Sequence, residues 1–264
     1  KGMPPILGSG TLEDRTYFVT PYYERRSLRF RLRSMTFPQP DPEVIRLANA
    51  FTDVLGELHR HGYTHFDFKP DNLLLEALPS ASDHTEFSLL RNDERLILTD
   101  FGTTRSVEGE DQFGDGTPGY AAPELLTTII DHDPRVDVYA ASATLVECIT
   151  GVAPMQVRAA TGYAFTADVL AQTGPWESVL RKGLDVDPRH RPQTMTEWFG
   201  ALCEKADVVE TFSSERVERD AAPTAASATG GSKTVRRDAP VPRVGVGEPT
   251  DRQAARKAIA VLAA

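Results

Sequence analysis

Apolar and polar positions alternate along this chain with a period that changes from segment to segment. Val44, Leu47, Ala48, Phe51, Val54, Leu55 and Leu58 recur at helical spacing. Asp41-Pro42-Glu43 ahead of them reads as an N-cap, a proline at the first helical position and an acid in the first turn, and Gly62 reads as the stop. The pattern predicts a helix of roughly five to six turns. Residues 72–75 and 95–99 are short β-rich runs. Residues 137–150 are apolar nearly all round and end at Gly151, which predicts a buried helix. A short helix over 175–182 is closed by Gly183, and Thr194 with Glu197 has capping-box spacing ahead of Trp198, Phe199 and Leu202. Near the start, a strand begins at about Arg15, and Gly8-Ser9-Gly10 reads as a turn. Two or three strands, then helices with a small hairpin between them, predict a mostly helical α+β domain. Trp176 and Trp198 lie on apolar faces and are expected in the core, as is Cys148.

Composition narrows this picture. The chain has 264 residues, 40% hydrophobic and 25% charged, which is ordinary globular usage. The net charge of −9 argues against general nucleic-acid binding. The acid excess lies wholly before residue 206. Beyond it, large apolar residues thin out, and 221–232 is an Ala/Pro/Thr/Ser/Gly-rich run, so 206–264 is expected to be a mostly disordered linker, with helical patterning over 251–264. Two cysteines make no disulfide framework, so a reducing, cytoplasmic setting is expected. No uncharged apolar run reaches the roughly 18 residues of a membrane span.

Three motifs carry chemistry. In the first, His65-Phe66-Asp67-Phe68-Lys69-Pro70-Asp71-Asn72, an Asp, a Lys and an Asn are packed into one loop. The Asp can take a proton from a hydroxyl, the Lys can neutralise a phosphoryl group, and the Asn carbonyl can bind a hard cation. The second, Asp100-Phe101-Gly102, puts a carboxylate at a strand end. The third, Gly116-Thr-Pro-Gly-Tyr-Ala-Ala-Pro-Glu124, is a rigid loop ending in an acid.

In this order the motifs resemble a catalytic loop, a metal-binding Asp-Phe-Gly and an Ala-Pro-Glu of the eukaryotic-type (Hanks-type) Ser/Thr protein kinases, in the form found in bacteria. Asp137-Val-Tyr-Ala-Ala resembles the start of the family's buried central helix, and Asp187-Pro-Arg-His-Arg191-Pro its late Arg segment. The resemblance implies a protein-kinase-like fold, with the end of an N-lobe and hinge over 1–40 and a C-lobe over 41–205. It implies transfer of the ATP γ-phosphoryl group, with Mg²⁺, to Ser or Thr of a protein substrate. Asp67 would orient the hydroxyl and take its proton, Lys69 would touch the γ-phosphate, and Asn72 and Asp100 would hold Mg²⁺. Glu124 and Arg191 would form an ion pair, Asp137 would brace the catalytic loop, and His65, Phe101, Gly102 and Thr117 would be structural. Thr20 would fall at the gatekeeper position, with Pro21 and Tyr23 facing adenine.

The chain also departs from the family. The Gly-rich phosphate loop, strand Lys and helix Glu that the family places before the hinge have no counterpart here. The resemblance therefore implies an active complete protein and an inactive piece; a pseudokinase-like scaffold and one half of a split kinase are the alternatives, with a small-molecule phosphotransferase disfavoured by the Gly-Thr-Pro loop. Phe66 stands where many members have an Arg, and Glu108, Glu110, Asp111 and Asp115 would repel a phosphate, so activation is expected not to need activation-segment phosphorylation. Residues 76–94 form an insertion expected to be a surface loop or hairpin. Arg25, Arg26, Arg29, Arg31 and Arg33 form a basic cluster, read either as a solvated face with ion pairs or as a receiver of acidic partners.

Overall fold

A computed structural model describes residues 2–12, 15–78, 88–106, 116–126, 133–154, 158–159, 162–163 and 165–206. The linker expected beyond 206, Glu108, Glu110, Asp111 and Asp115, and the middle of the insertion lie outside the described residues.

Strands β1 (Gly8–Leu12) and β2 (Arg15–Val19) pair antiparallel, with Gly10 opposite Tyr17. Gly8-Ser9-Gly10 is therefore strand and not the expected turn. The reason lies on the partner strand: a Cβ on Gly10 would stand 2.5 Å from the Tyr17 hydroxyl, so the glycine leaves room for the cross-strand ring. A short helix, α1 (Leu28–Leu32), is capped by the Ser27 side chain. Next comes α2 (Asp41–Arg60), buried on the face that carries Val44, Leu47, Phe51, Leu55 and Leu58. Its N-cap position is Pro40, not Asp41; Asp41 is already the first helical residue, where its carboxylate faces the positive end of the helix dipole. Gly62, at φ +77°, takes the chain out of the helix.

Short β3 (Tyr63–Thr64) pairs with β6 (Arg105–Ser106), and β4 (Leu73–Ala77) pairs with β5 (Glu94–Leu98), Leu73 opposite Leu98. The insertion thus begins as an extension of this hairpin. Its far end is core rather than surface: Leu89 and Leu90 are buried, and Glu43 accepts the Leu90 amide at 2.7 Å and the Ser88 hydroxyl at 2.7 Å.

Helix α3 (Arg135–Thr150) is buried at every position from Val136 onward and sits at the centre of the helical half. Strands β7 (Arg158–Ala159) and β8 (Gly162–Tyr163) make a minor hairpin. Helices α4 (Ala167–Ala171), α5 (Glu177–Gly183) and α6 (Met195–Cys203) complete the core; Gly183 is the last residue of α5, not the one after it. The Thr194 hydroxyl accepts the Glu197 amide at 3.1 Å, while the Glu197 carboxylate reaches back to the Gln193 amide. Trp176, Trp198 and Cys148 are all buried, and Trp198 Nε1 donates to Ser142 Oγ at 3.0 Å. The fold is a kinase-like α+β arrangement with few strands. Among the described residues no helix is long and apolar enough to cross a membrane.

Candidate active site

The two strand pairs bring the first two motifs together. β3 and β6 flank the His65–Asn72 loop on one side and the Asp100 turn on the other. At the β4–β5 end, the Thr99 amide donates to the Asn72 carbonyl at 2.9 Å, so Asp100 follows directly on a residue bonded to Asn72.

The loop is hung on the first turn of α3. One Asp137 carboxylate accepts the His65 amide at 2.8 Å and the Phe66 amide at 2.9 Å, and lies 2.8 Å from His59 Nε2. Burial pushes the Asp137 carboxyl up, but these donors and His59 outweigh it and hold it low. Phe66 adopts φ +69°, a left-handed backbone that lets two successive amides meet one carboxylate. Its ring is buried against Ala122, Val136 and Tyr139. His65 Nε2 lies 3.0 Å from the Thr99 carbonyl, so that nitrogen carries the hydrogen, and Nδ1 accepts the Asp67 amide at 3.3 Å. Burial pushes the imidazole below its ordinary range, and the Phe101 ring packs edge-on against it at 5.6 Å. Both ring nitrogens are occupied in holding backbone.

Asp67 is the centre of the cluster. Its Oδ1 accepts the Thr117 amide at 3.0 Å and the Thr117 hydroxyl at 2.5 Å. Its Oδ2 accepts Lys69 Nζ at 2.6 Å and Asn72 Nδ2 at 3.1 Å, and Asn72 Nδ2 also donates to the Asp67 carbonyl at 2.8 Å. Burial pushes this carboxyl up; the hydrogen bonds from Lys69 and Thr117 overcome that and bring it below the usual carboxylate range. Lys69 also donates to the Thr117 hydroxyl. The group is an ionised carboxylate beside an ammonium, fixed by four donors.

Asp100, exposed and at φ +63°, opens the turn Phe101–Thr103. Asn72 turns its NH₂ onto Asp67, which leaves its amide oxygen on the opposite side. A carboxylate and an amide oxygen at one end of a hairpin are the hard donors that Mg²⁺ takes when substrate phosphates and water complete its shell. The donor chemistry therefore fits that cation. Glu124 lies in the helical turn Pro123–Leu126, and Arg191 holds it with both Nη atoms, at 2.6 and 2.8 Å.

Thr20, Pro21 and Tyr23 stand apart. They lie between β2 and α1, Thr20 exposed, Pro21 half-buried and Tyr23 buried, and among the described residues no hydrogen bond joins them to Asp67, Asn72 or Asp100. The basic cluster is largely spent on buried acids: Arg25 on Asp93 and Glu94, Arg31 on Glu94, and Arg29 on Glu147. Arg26 stacks over the Phe30 ring at 4.3 Å. His59 gives no signal in the sequence; near the end of α2 it looks like any residue of a last turn, and only the fold brings it to Asp137.

Residues 6–201 match the protein kinase domain, and the chain belongs to that family. The serine/threonine-protein kinase pkn3 of Myxococcus xanthus is 25% identical over 240 residues, 83% of this chain and 40% of that protein. PknJ of Mycobacterium tuberculosis, also a serine/threonine-protein kinase, is 28% identical over 179 residues, 66% of this chain and 28% of PknJ. Calcium-dependent protein kinase 9 of rice (Oryza sativa subsp. japonica) is 31% identical over 159 residues, 55% of this chain and 25% of the relative. The chain spans less than half the length of each of these relatives. Membership of the family implies use of ATP and Mg²⁺ in general terms.

Proposed function

We propose that the complete protein transfers the γ-phosphoryl group of ATP to Ser or Thr hydroxyls of protein substrates, and that Asp67, Lys69, Asn72 and Asp100 carry the reaction. The observation that supports this most is the Asp67 carboxylate, kept ionised and aimed by Lys69, Thr117 and Asn72. In this reading Asp67 accepts a hydrogen bond from the substrate hydroxyl and takes its proton as the oxygen–phosphorus bond forms. A carboxylate held this low is a weak base, so it steers the alcohol more than it activates it, and the proton moves late. Lys69 sets a positive charge beside the transferring group. A bound Mg²⁺, held by Asn72 and Asp100, would neutralise and orient the nucleotide phosphates. Thr117 closes the cluster over Asp67, and Thr20, Pro21 and Tyr23 are assigned to the adenine edge.

Phe66 supports activation without a phosphate. Its buried ring anchors the stretch around Ala122 by apolar packing, where an Arg–phosphate pair would otherwise be needed. We divide the chain at 40 and 205, with a linker after it, and assign it to a cytoplasmic setting from its two free cysteines.

The test is γ-phosphate transfer by the complete protein and by Asp67→Asn. Transfer is expected to fall by about 10²–10⁴-fold with Mg·ATP affinity nearly unchanged. Transfer within threefold of wild type would overturn the assignment. A nucleotide-binding scaffold is the alternative reading. Binding without transfer in the complete protein would select it.

A further inference from the structure

Arg29, on α1, has an unusual set of partners. Its Nε donates to Asp71 Oδ2 at 3.0 Å, its Nη2 to the Tyr120 hydroxyl at 2.6 Å and its Nη1 to the Glu147 carboxylate. The Tyr120 hydroxyl in turn donates to the other Glu147 oxygen at 2.5 Å. The three partners come from three separate segments. Asp71 lies between Lys69 and Asn72. Tyr120 closes the turn that starts at Thr117, its amide donating to the Thr117 carbonyl at 3.1 Å. Glu147 is in the last turn of the buried α3.

We propose that Arg29 is a positioning residue, which locks the loop carrying Thr117 to the loop carrying Asp67, Lys69 and Asn72 and references both to α3. The geometry is specific to a guanidinium, whose planar fork offers donors in three directions; an ammonium at the same place is a point charge on a stem. Glu147 is nearly buried, with 4% side-chain exposure, so the charge it presents to Arg29 is weakly screened and holds the fork in place. The consequence lies at Asp67. Thr117 reaches Asp67 only while the two loops keep their spacing, and Arg29 links the two loops at a second point, through Asp71 and Tyr120. A loop displaced by about 1 Å is enough to cost a large part of a positioned reaction. For this catalytic consequence the inference rests on the kinase reading; for the coupling of the loops it does not.

The experiment has a readout for each part. Amide exchange is followed at Thr117, Tyr120 and Ala121 in the full chain and in Asp71→Asn. The Asp71 side chain is half-exposed, on the opposite loop, and is not expected to be needed for folding. Exchange at those three amides is expected to rise about tenfold, and Arg29→Lys is expected to act alike. Unchanged exchange in both variants overturns the proposal. In the complete protein, Asp71→Asn and Tyr120→Phe each lower kcat about tenfold, leave the KM for ATP within about twofold, and together cost no more than about twofold beyond the worse single change. Losses that multiply would mean two independent structural defects and would overturn it. Coupled exchange in a protein that transfers no phosphate would leave the lock standing and remove the kinase reading instead.

Discussion

At the scale of single residues, burial and hydrogen-bond partners compete to set the charge of the groups that hold the site: the donors win at Asp67 and Asp137, and burial wins at His65. His65 shows the sign of the effect. Burial lowers its pKa from the ordinary 6.5, against the opposing pull of Asp137, the Thr99 carbonyl, Asp67 and Asp100. The unfolded chain takes up a proton near pH 6.5 and the native one does not, so acid favours unfolding. The stability tied to a neutral His65 is complete above pH 6.5 and is lost as pH falls from there toward the lowered native value. That loss is looked for between about pH 7.5 and pH 5.5, the window around the unfolded value. Thermal unfolding across that range should show a shallower pH dependence in His65→Gln, whose amide can still donate to Thr99; parallel curves for wild type and variant would refute this. The resemblance implies a structural role for His65, and the two occupied ring nitrogens show which backbone groups it holds.

At the scale of elements, the long helices are legible in the sequence and the small ones less so. The apolar stripe of α2 and the all-round apolar α3 follow from periodicity, because each buries one continuous face or surface. β1 reads wrongly because two glycines signal a turn locally, whereas the Tyr17 ring across the strand decides the matter. The ion pairs of the basic cluster join segments far apart in sequence, and no spacing rule reports them. The Arg191–Glu124 pair is another such tie, implied by family resemblance and by nothing local. The Arg191 side chain is fully buried, donates from Nε to the Asp185 carbonyl at 2.7 Å as well as to Glu124, and lies over the Tyr139 ring at 5.0 Å. It fastens the turn Pro123–Leu126 to the segment before α6. Arg191→Met takes the guanidinium from a carboxylate and three backbone carbonyls at once, and is expected to cost about 3–5 kcal/mol in urea or thermal unfolding. A loss under about 1 kcal/mol would mean that water or a shifted chain replaces the guanidinium cheaply.

At the scale of the whole molecule, stability should be unevenly spread. α2, α3, α5 and α6 share one apolar core with β4 and β5, and α3 lies inside it. The β1–β2 hairpin is different. Leu12, Tyr17, Phe18 and Val19 are each between 39% and 68% exposed, and none belongs to that core. Two strands without a covered face are marginal in water, since their hydrogen bonds must offset the chain entropy almost alone. The stretch from Thr20 to Tyr23, assigned above to the adenine edge, hangs directly from this hairpin. Native-state amide exchange should therefore divide the molecule. Amides paired between β1 and β2 should exchange by local opening, at free energies well below those of Val138 to Ile149 in α3, which should open only with global unfolding. Mild denaturant should then speed exchange in α3 while leaving the hairpin amides nearly unaffected, because a local opening exposes little new surface. If both sets slow and quicken together, the hairpin is an integral part of the cooperative unit, and the stretch from Thr20 to Tyr23 is as rigid as the carboxylate cluster at Asp67.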